Sequence, residues 1–397
     1  MKLASLKILS FFFSFLVLVP VGSRAQQEPA SQNPFPIPAD LESAVEFWKQ
    51  IFSEYGIAQL VYFDPLDPSK IYEVVDVGEE TRSNHYIKRE RARIAKTHGV
   101  DIERVKTQRG VKERTAAGLK RAGRYIAQIQ QIFRDRGMPP ELSYLPIVES
   151  SYDIDARSSV GALGIWQFMR STGREYMRVT RTIDERRDPF DSSRAAAAYL
   201  QEAYENLGNW PLAITSYNYG QAGMARAVAT VGSNDLVDLI RHYDHRRFGF
   251  APKHFYAEFL AALEIGSNIQ KYFPELELDA PTPIEEMELT ARTSMASLVK
   301  STGLNRRELL AWNPALRMST NVVPAGYRVK LPKDPTSEPL IDVAQIPKVV
   351  HHRVKRGDTL LQIARRYGAS LQQILKANGM SQAHVIRVGT TLVIPQI

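Results

Sequence analysis

Apolar positions in the first two thirds of the chain recur every three or four residues, which predicts a series of helices. These helices are expected over 41–55, 112–136, 192–204, 212–218, 235–243 and 251–269. Two β-branched and aromatic segments, 58–65 and 70–77, flank a turn at Asp67-Pro68 and predict a hairpin. The charged run from Tyr86 alternates with small apolar residues, as is typical of a solvated helix face. We therefore expect a helix-rich, mainly α fold.

One carboxylate stands at the end of an apolar helical stripe. A helix beginning near Pro140 places Leu142, Leu145 and Glu149 on one face, because they are spaced three and four residues apart. A glutamate near a helix end is usually solvated or paired with arginine. A carboxyl that faces the interior instead loses hydration, which raises its pKa and lets it hold a proton near neutral pH. Such a group suits general acid catalysis.

The segment after Glu149 is polar and glycine-rich before it turns apolar around Trp166. Gly161 and Gly164 allow the backbone to pass close to a ligand or a neighbouring segment. Gln167 offers both an amide donor and a carbonyl acceptor. This combination favours a sugar as the ligand.

The last third of the chain contains a repeat. Leu298, Gly303, Leu309 and Asn313 correspond to Ile363, Gly368, Ile374 and Asn378 at a constant offset of 65 residues. The repeat predicts two copies of one small unit, at 284–333 and 349–396, with a proline-rich linker at 334–348. The first copy is degenerate, because its first loop lacks the Gly-Asp-Thr sequence of the second.

Five motifs, in order, resemble the goose-type lysozyme-like lytic transglycosylases, and among them the membrane-bound lytic murein transglycosylase D group. They are PPELSYLPIVESSYD, ARSSVGALGIWQFM, DERRDPFDSSRAAAAYL, ITSYNYG and FAPKHFYAEFLAALEI. The resemblance implies that Glu149 is the sole catalytic acid and base, with Ser158 beside it. It also implies that Gln167, Tyr217 and Asn218 line a saccharide groove.

The sequence departs from the family pattern at Phe250, where a tyrosine is usual. If that hydroxyl orients the substrate in relatives, its role here is either lost or supplied by Tyr256 or Tyr219.

The resemblance also implies a mechanism without a second carboxylate. A standard retaining glycosidase needs one about 5 Å from the acid. The nearby Asp153 and Asp155 lie in a turn-like stretch, where aspartates usually accept backbone hydrogen bonds. In the family, the N-acetyl group of the substrate is thought to stabilise the anomeric carbon. The glutamate then takes a proton from the C6 hydroxyl, which closes a 1,6-anhydro ring.

The second C-terminal copy closely resembles a LysM module, in which two helices pack on a two-stranded sheet in the order βααβ. The resemblance makes Asp358, Thr359, Asn378 and Gly379 candidates for binding chains of N-acetylglucosamine. Whether the first copy binds glycan is left open. Thr359 is also a plausible helix cap.

These patterns divide the chain of 397 residues into several parts. We expect a signal peptide at 1–25, a disordered linker at 26–40 and a helix and hairpin region at 41–111 that packs on the catalytic unit. The catalytic domain is expected at 112–275, followed by the two small units. The apolar leader is short for a membrane span of about 20 residues, so we expect membrane attachment only if it stays uncleaved.

Composition narrows the choice of partner. The sequence has no cysteine, which excludes disulfides and a lipid-modified cysteine. Its net charge of +8 would fall to +5 on loss of the leader, and a modest positive excess favours an anionic polymer such as the cell wall. The sequence has no stripe of basic residues interleaved with aromatic residues, so it gives no indication that the protein binds nucleic acid. His351-His352 lacks a third ligand at suitable spacing, so we expect neither a metal nor another cofactor.

The sequence therefore predicts an exported monomer of the periplasm or cell envelope that binds peptidoglycan glycan strands. The leading function is a lytic transglycosylase that cleaves the β-1,4 bond between N-acetylmuramic acid and N-acetylglucosamine. Two alternatives remain, a hydrolytic muramidase and a non-catalytic wall-binding scaffold.

Overall fold

The structure is a computed structural model that describes residues 33–78, 83–334, 336, 338–343, 349–380 and 385–395. The predicted signal peptide at 1–25 lies outside the described residues, and so do residues 26–32 of the predicted linker that follows it. In the part of the chain that is described, no helix combines the length and apolar character needed to cross a membrane.

The N-terminal region contains two helices and a three-stranded antiparallel sheet. Its elements are α1 (Glu42–Ser53), β1 (Gln59–Asp64), β2 (Asp67–Asp76), α2 (Asn84–His98) and β3 (Lys106–Arg109). The predicted hairpin is confirmed as β1 and β2. The sequence did not predict β3, a short polar segment that pairs with the other side of β1. The apolar face of α1, which includes Phe47, Trp48 and Ile51, packs on the helix Phe250–Ser267 of the next region.

The next region is helical. It comprises α3 (Lys112–Ala122), α4 (Ile126–Arg134), a 3₁₀ turn (Pro140–Tyr144), α5 (Leu145–Ser150), α6 (Arg170–Tyr176), α7 (Pro189–Leu207), α8 (Trp210–Tyr219), α9 (Gln221–Val231), α10 (Leu236–His242), α11 (Phe250–Ser267) and α12 (Ile269–Tyr272). Local sequence explains the ends of α7: Asp188 caps its first turn, Pro189 fits the first helical position, and Gly208 ends it with a left-handed backbone. The apolar helix α11 packs against α1, α5 and α8 at the centre of the main core.

The prediction of one helix over 112–136 is wrong, because the chain forms α3 and α4 with a break between them. At the break, a Cβ added to Gly123 would lie 2.3 Å from the carbonyl oxygen of Asp279. The amides of Asp279 and Thr282 donate to the carbonyls of Lys120 and Arg124. A distant segment therefore takes hydrogen bonds that a continuous helix would have used internally.

The prediction of disorder over 26–40 is wrong for residues 35–40. Phe35 is buried against Trp210 and Phe259, with ring centroids 5.9 and 5.1 Å away. The hydroxyl of Tyr256 donates to the carbonyl of Pro36 at 3.0 Å. One aromatic anchor in a proline-rich segment is enough to fix it, because the helical core provides an apolar surface for the ring.

The C-terminal third shows a βααβ order twice, with an additional pair of short strands, β5 and β6 below, in the first copy. The first copy has β4 (Ile284–Glu288), β5 (Thr293–Ser294), α13 (Met295–Thr302), α14 (Arg306–Trp312), β6 (Val322–Val323) and β7 (Arg328–Pro332); the second has β8 (Val349–Arg353), α15 (Leu360–Tyr367), α16 (Leu371–Ala377) and β9 (Thr391–Pro395). The first strand pairs antiparallel with the last in each copy. The predicted fold class, mainly α with small βααβ units, is confirmed.

The first βααβ unit is joined to the helical region by buried contacts. Ile183 of the helical region enters the core of the unit. Lys330 on β7 has no exposed side-chain surface, and it pairs with Asp188 at 3.1 Å and with Asp191. The linker after the unit also contributes to the main core, through Leu340. The two regions therefore share their interior.

Candidate active site

Glu149 lies at the end of α5, as its apolar stripe predicts. Leu142 and Leu145 are fully buried on that face, and Glu149 is partly buried. The helix stops directly after it, because Ser151 and Tyr152 both adopt left-handed backbone conformations, with φ of 51° and 56°. Such conformations cost energy in residues other than glycine and often occur at functional sites.

The environment of Glu149 favours its protonated form. Burial raises the pKa of Glu149 to about 8, and the charge of Glu258 adds to the effect. Within the described part of the chain, no side chain or amide donates a hydrogen bond to this carboxyl, and no cation pairs with it. A carboxyl with this pKa holds its proton near neutral pH and can donate it.

Glu258 is a further buried carboxyl, which the sequence patterns did not predict. It lies on α11, which packs against α5, and burial raises its pKa to about 8 as well. No hydrogen bond or ion pair to Glu258 occurs among the described residues. A signal was present in the sequence, because Glu258 interrupts the apolar run FYAEFLAAL just as Glu149 interrupts its own stripe.

The glycine-rich loop crosses next to the end of α5. The hydroxyl of Ser150 donates to the carbonyl of Ile165 at 2.8 Å. Gln167 has a left-handed backbone, with φ of 48°, and its amide donates to the carbonyls of Ala156 and Gly164. Its amide nitrogen thus holds the loop together, and its carbonyl oxygen accepts no hydrogen bond from the residues described.

Ser158 is placed at the other end of this loop. Its hydroxyl oxygen accepts a hydrogen bond from the amide of Ala162 at 2.9 Å, which closes a tight turn. The predicted role of Asp153 as a turn residue matches its hydrogen bond from the amide of Asp155 at 2.9 Å. Asp155 in turn pairs with Arg187 at 3.1 Å.

The buried ion pair of Asp184 and Arg186 supports the glycine-rich loop on the side away from solvent. Asp184 binds Arg186 through two hydrogen bonds of 2.9 Å, and Arg186 donates to the carbonyls of Gly161 and Phe168. Gly164 is pressed against the same segment, since an added Cβ would lie 1.9 Å from the carbonyl oxygen of Arg186. The loop therefore has a rigid support on the side away from solvent.

Tyr217 and Asn218 stand at the end of α8. The hydroxyl of Tyr217 donates to the carbonyl of Trp166 at 2.8 Å. Burial, together with the charge of Glu149, raises the pKa of Tyr217 well above its usual value. Asn218 is exposed. The structure thus brings Glu149, Tyr217 and the Gln167 segment to one place, while Ser158 lies on a turn of the same loop.

The place where the sequence departs from the family is an aromatic cluster. Phe250 stacks on His254 with centroids 4.0 Å apart, and it also contacts Trp48 and Phe63 of the N-terminal region. Tyr256 is fully buried and bonded to the Pro36 carbonyl, so the expectation that its hydroxyl could replace the missing tyrosine is wrong.

The other proposed replacement, Tyr219, lies close to His245, with 3.0 Å between its hydroxyl and Nδ1. That hydroxyl remains outside the core and is partly exposed.

The four candidates in the second βααβ unit are mostly engaged in its fold. Asp358 lies 2.8 Å from His352 Nε2 and accepts from the amide of Lys355, and Thr359 caps α15. Asn378 uses both ends of its amide, since it donates to the carbonyl of Val393 and accepts from the amide of Val393. Gly379 has a left-handed backbone, with φ of 61°. Their part in glycan binding stays a prediction.

The environment of His352 is also that of a structural residue. His352 is held between Asp358 and the hydroxyl of Tyr367. Among the residues that the structure describes, no group of three or more His, Cys, Asp or Glu side chains could hold a metal ion.

Comparison with known proteins finds two domain families. The Transglycosylase SLT domain matches residues 126–238, and the LysM domain matches residues 352–395. Membrane-bound lytic murein transglycosylase D of Escherichia coli K12 is 30% identical over 280 residues, which cover 65% of this chain and 60% of that protein. The chain thus spans about three fifths of the length of that relative.

Two further likenesses are shorter. A putative tributyltin chloride resistance protein of an Alteromonas species is 29% identical over 113 residues, or 28% of this chain and 55% of that protein. The structure of an inactive mutant of the lytic transglycosylase Slt from Pseudomonas aeruginosa shares 21% identity, with a TM-score of 0.31, over 39% of this chain and 25% of that one.

Glu149, Gln167 and Tyr217 all lie within the first of these matched ranges, and Asp358 to Gly379 within the second. The chain therefore matches the SLT domain family over residues 126–238 and the LysM family over residues 352–395, as its motifs indicated.

Proposed function

We propose that the protein is a peptidoglycan lytic transglycosylase, with Glu149 as its catalytic acid and base. The observation that carries the proposal is the carboxyl of Glu149: it lies in a matched SLT domain, accepts no hydrogen bond from the described residues and has a pKa raised to about 8. It therefore stays protonated at neutral pH, as an acid that protonates a glycosidic oxygen must.

The reaction requires two proton transfers at this one carboxyl. Glu149 gives its proton to the oxygen leaving with N-acetylglucosamine, and the bond from C1 of N-acetylmuramic acid to that oxygen breaks. The acetamido oxygen of the same muramic acid stabilises C1. The Glu149 carboxylate then takes the proton of the C6 hydroxyl, whose oxygen bonds to C1. The ring closes, the carboxyl regains its proton, and no water is consumed.

The polar groups around Glu149 suit a sugar ligand. Gln167 presents a carbonyl oxygen with no partner among the described residues, and Asn218 presents an exposed amide at the end of α8. Ser158 lies on a turn of the loop that carries Gln167, and Tyr217 donates to the backbone of the same loop at Trp166. We assign these four residues to the saccharide groove.

A hydrolytic muramidase is the second candidate, and Glu258 is the observation that favours it. A water-using mechanism needs a carboxylate that acts as base or nucleophile. Glu258 lies close enough to Glu149 to raise its pKa. However, the pKa of Glu258 is itself raised to about 8, so at neutral pH it is mostly protonated and does not serve as a base. The transglycosylase reaction is therefore preferred.

The LysM domain extends the proposal to the whole chain. We assign it to binding of peptidoglycan strands, which would hold the enzyme on its polymeric substrate and raise the local concentration of cleavable bonds. Peptidoglycan lies outside the cytoplasm, so the proposal places the protein in the cell envelope after export. A scaffold without activity would not need a buried, protonated carboxyl.

The test of the assignment is the variant Glu149→Gln. It keeps the shape of the side chain but has no proton of suitable pKa, so release of anhydromuropeptides from purified sacculi should fall below detection. Cosedimentation with sacculi should stay close to that of the wild type. Glu205→Gln, the same change at an exposed site on α7, is the matched control and should keep full activity. Anhydromuropeptide release by Glu149→Gln would refute the assignment.

A further inference from the structure

A cavity of about 520 Å³ lies where three parts of the molecule meet. One wall is the loop that carries Ser158 and Gln167, through Arg157 and Leu163. The second wall is the segment after α14, through Arg317 and Met318. The third wall is α16 of the LysM domain, through Lys376. The volume falls within the range of about 300–1,000 Å³ that is usual for small-ligand sites.

The side chains that line the cavity have a net positive charge. Four cationic side chains line it, Arg157, Arg187, Arg317 and Lys376, against one carboxylate, Asp155. That carboxylate is already paired with Arg187 at 3.1 Å. Arg157 and Lys376 are exposed, and neither side chain forms an ion pair or a hydrogen bond with any described residue. Their charges are therefore available to a ligand.

Arg317, which is partly buried in the cavity wall, also reflects this excess of positive charge. Its guanidinium pairs with Asp184 at 3.1 Å, but its Nε atom is buried without a hydrogen-bond partner. Burial lowers the pKa of Arg317, and nearby Arg187, Arg170 and Arg157 lower it further, although Asp184 opposes them. Clustered arginines that repel one another are relieved when an anion binds between them.

Apart from Gln373, the rest of the lining is apolar, which argues against a simple inorganic anion as the natural ligand. Leu163, Leu316 and Met318 alternate with the cationic groups. A ligand that matches both kinds of surface has carboxylates separated by short aliphatic segments. A small acidic peptide has this chemistry.

The cavity and the candidate active site share the loop between them. Arg157 directly precedes Ser158, and its backbone forms a bridge with Leu163, which in turn bridges with Phe168 next to Gln167. Gln167 also donates to the carbonyl of Ala156. A substrate held at Ser158 and Gln167 therefore lies on one side of a loop whose other residues form the cavity wall.

We propose that this cavity binds the acidic peptide stem attached to the muramic acid of the substrate. The inference rests on the proposed function, since it assumes a peptidoglycan strand in the saccharide groove. It adds a second recognition site, built jointly by the SLT domain, the first βααβ unit and the LysM domain. Glycan strands that keep their stems would bind better than strands from which the stems have been removed.

The experiment is a calorimetric titration of the full-length protein with an N-acetylated stem tetrapeptide that has free carboxylates. The double variant Arg157→Ala/Lys376→Ala should raise its Kd by roughly tenfold or more, because two charge-assisted contacts are lost. Both residues are exposed, so thermal unfolding should be unchanged. Lys88→Ala/Lys96→Ala removes two exposed positive charges from α2 and should leave the Kd within about twofold. Lys376→Glu provides a second, single-site variant and should weaken binding too.

Three results would overturn the inference: no binding by the wild type, equal binding of the same peptide with its carboxylates converted to carboxamides, or unchanged binding by both variants. Displacement of the peptide by inorganic phosphate at equal concentration would also overturn it, because the site would then be a general anion site. The titration involves no turnover. If the peptide did not bind but the protein still released anhydromuropeptides, the proposed function would stand and only this inference would fail. If the peptide bound but no anhydromuropeptides were released, the proposed function would fail instead.

Discussion

At the scale of single residues, the site depends on two neighbouring carboxyls that burial keeps protonated. Glu149 and Glu258 come from different helices, and each has a pKa raised to about 8. Two like charges in a poorly hydrated site repel each other, so ionisation of one makes ionisation of the other less favourable. We therefore expect Glu258 to act on the proposed reaction through Glu149, because its charge raises the pKa at which Glu149 loses its proton.

This arrangement predicts a specific pH profile. Activity should fall as the pH rises through about 8, because Glu149 then loses the proton that it must donate. Glu258→Gln removes the like charge, so the pKa of Glu149 should fall and the alkaline limb should move to lower pH. Burial remains in the variant, so the limb should stay above the range of an ordinary glutamate. Initial rates on sacculi across the pH range measure the shift.

Glu205→Gln is the control for this profile, because the residue is exposed and far in sequence from both carboxyls. An alkaline limb that does not move in Glu258→Gln would show that the two carboxyls are not coupled.

The sequence identified Glu149 but not Glu258, and the reason is physical. Glu149 is followed by a loop whose polar, glycine-rich composition indicates ligand binding, whereas Glu258 lies in the middle of the helix α11. A helix turns by about 100° per residue, so one glutamate in an apolar helix is read as its solvent-facing position. Here α11 is surrounded by α1, α5 and α8, and that position faces another carboxyl.

At the scale of elements, the conformation of the loop of residues 156–168 is fixed by its contacts with the segment 184–186. The Asp184–Arg186 pair holds the carbonyls of Gly161 and Phe168, and Gly164 touches the backbone of Arg186. A loop braced in this way presents Gln167 in a strained left-handed conformation without needing the substrate to order it.

Gly164→Ala should therefore destabilise the protein and inactivate it. Its methyl group would lie 1.9 Å from the Arg186 carbonyl oxygen, in a backbone conformation with φ of 77° that alanine rarely adopts. We expect a loss of roughly 2–4 kcal/mol in the free energy of unfolding, measured by urea denaturation.

Gly161→Ala is the matched control, since its φ is 92° and nothing lies within 4 Å of the added Cβ. It should cost only about 1 kcal/mol, from the backbone alone. Equal costs for the two variants would mean that Gly164 does not touch Arg186.

Most helices followed from local patterns, although α6, α9 and α12 were not predicted, and the break within one predicted helix has a distant cause. The repeat predicted the C-terminal units well, because both copies keep the same spacing: α13 and α14 lie 65 residues before α15 and α16. The break between α3 and α4 depends on hydrogen bonds from residues 279 and 282, far along the chain. No local pattern contains that information, because helix propensity describes only neighbours.

At the scale of the whole molecule, the first βααβ unit is built onto the helical region that contains the candidate active site. Lys330 is buried against Asp188 and Asp191 at the start of α7, and Arg317 reaches Asp184, which braces the loop. Burial alone would raise the pKa of Asp191, but Lys330 and Arg194 outweigh it and hold the pKa below its usual value. Charges buried in this way fix the orientation of one region on another.

Lys330→Met should lower the free energy of unfolding by roughly 3–5 kcal/mol at neutral pH, because two buried carboxylates lose their cation. The deficit should shrink as the pH falls and the two aspartates take up protons. Lys300→Met, an exposed lysine of α13, should change stability by less than about 0.5 kcal/mol. If Lys330→Met were as stable as the wild type, the buried ion pairs would not hold the two regions together.

The sequence predicted two small units but gave no indication that the first is joined to the helical region. The residues that join them, such as Lys330 and Asp191, lie 139 positions apart. Each reads in sequence as an ordinary surface charge. The cavity between the SLT and LysM domains was unpredictable for the same reason.

The central claim is that one glutamate cleaves the glycan without water, and the mass of the products tests it most directly. Purified sacculi are digested with the wild-type protein in isotopically labelled water, and the released muropeptides are analysed by mass spectrometry. The account predicts 1,6-anhydromuramic ends that are lighter than hydrolysis products by one water and carry no label. Reducing muramic ends that carry the label would contradict it, and would assign the protein to the hydrolytic muramidases instead.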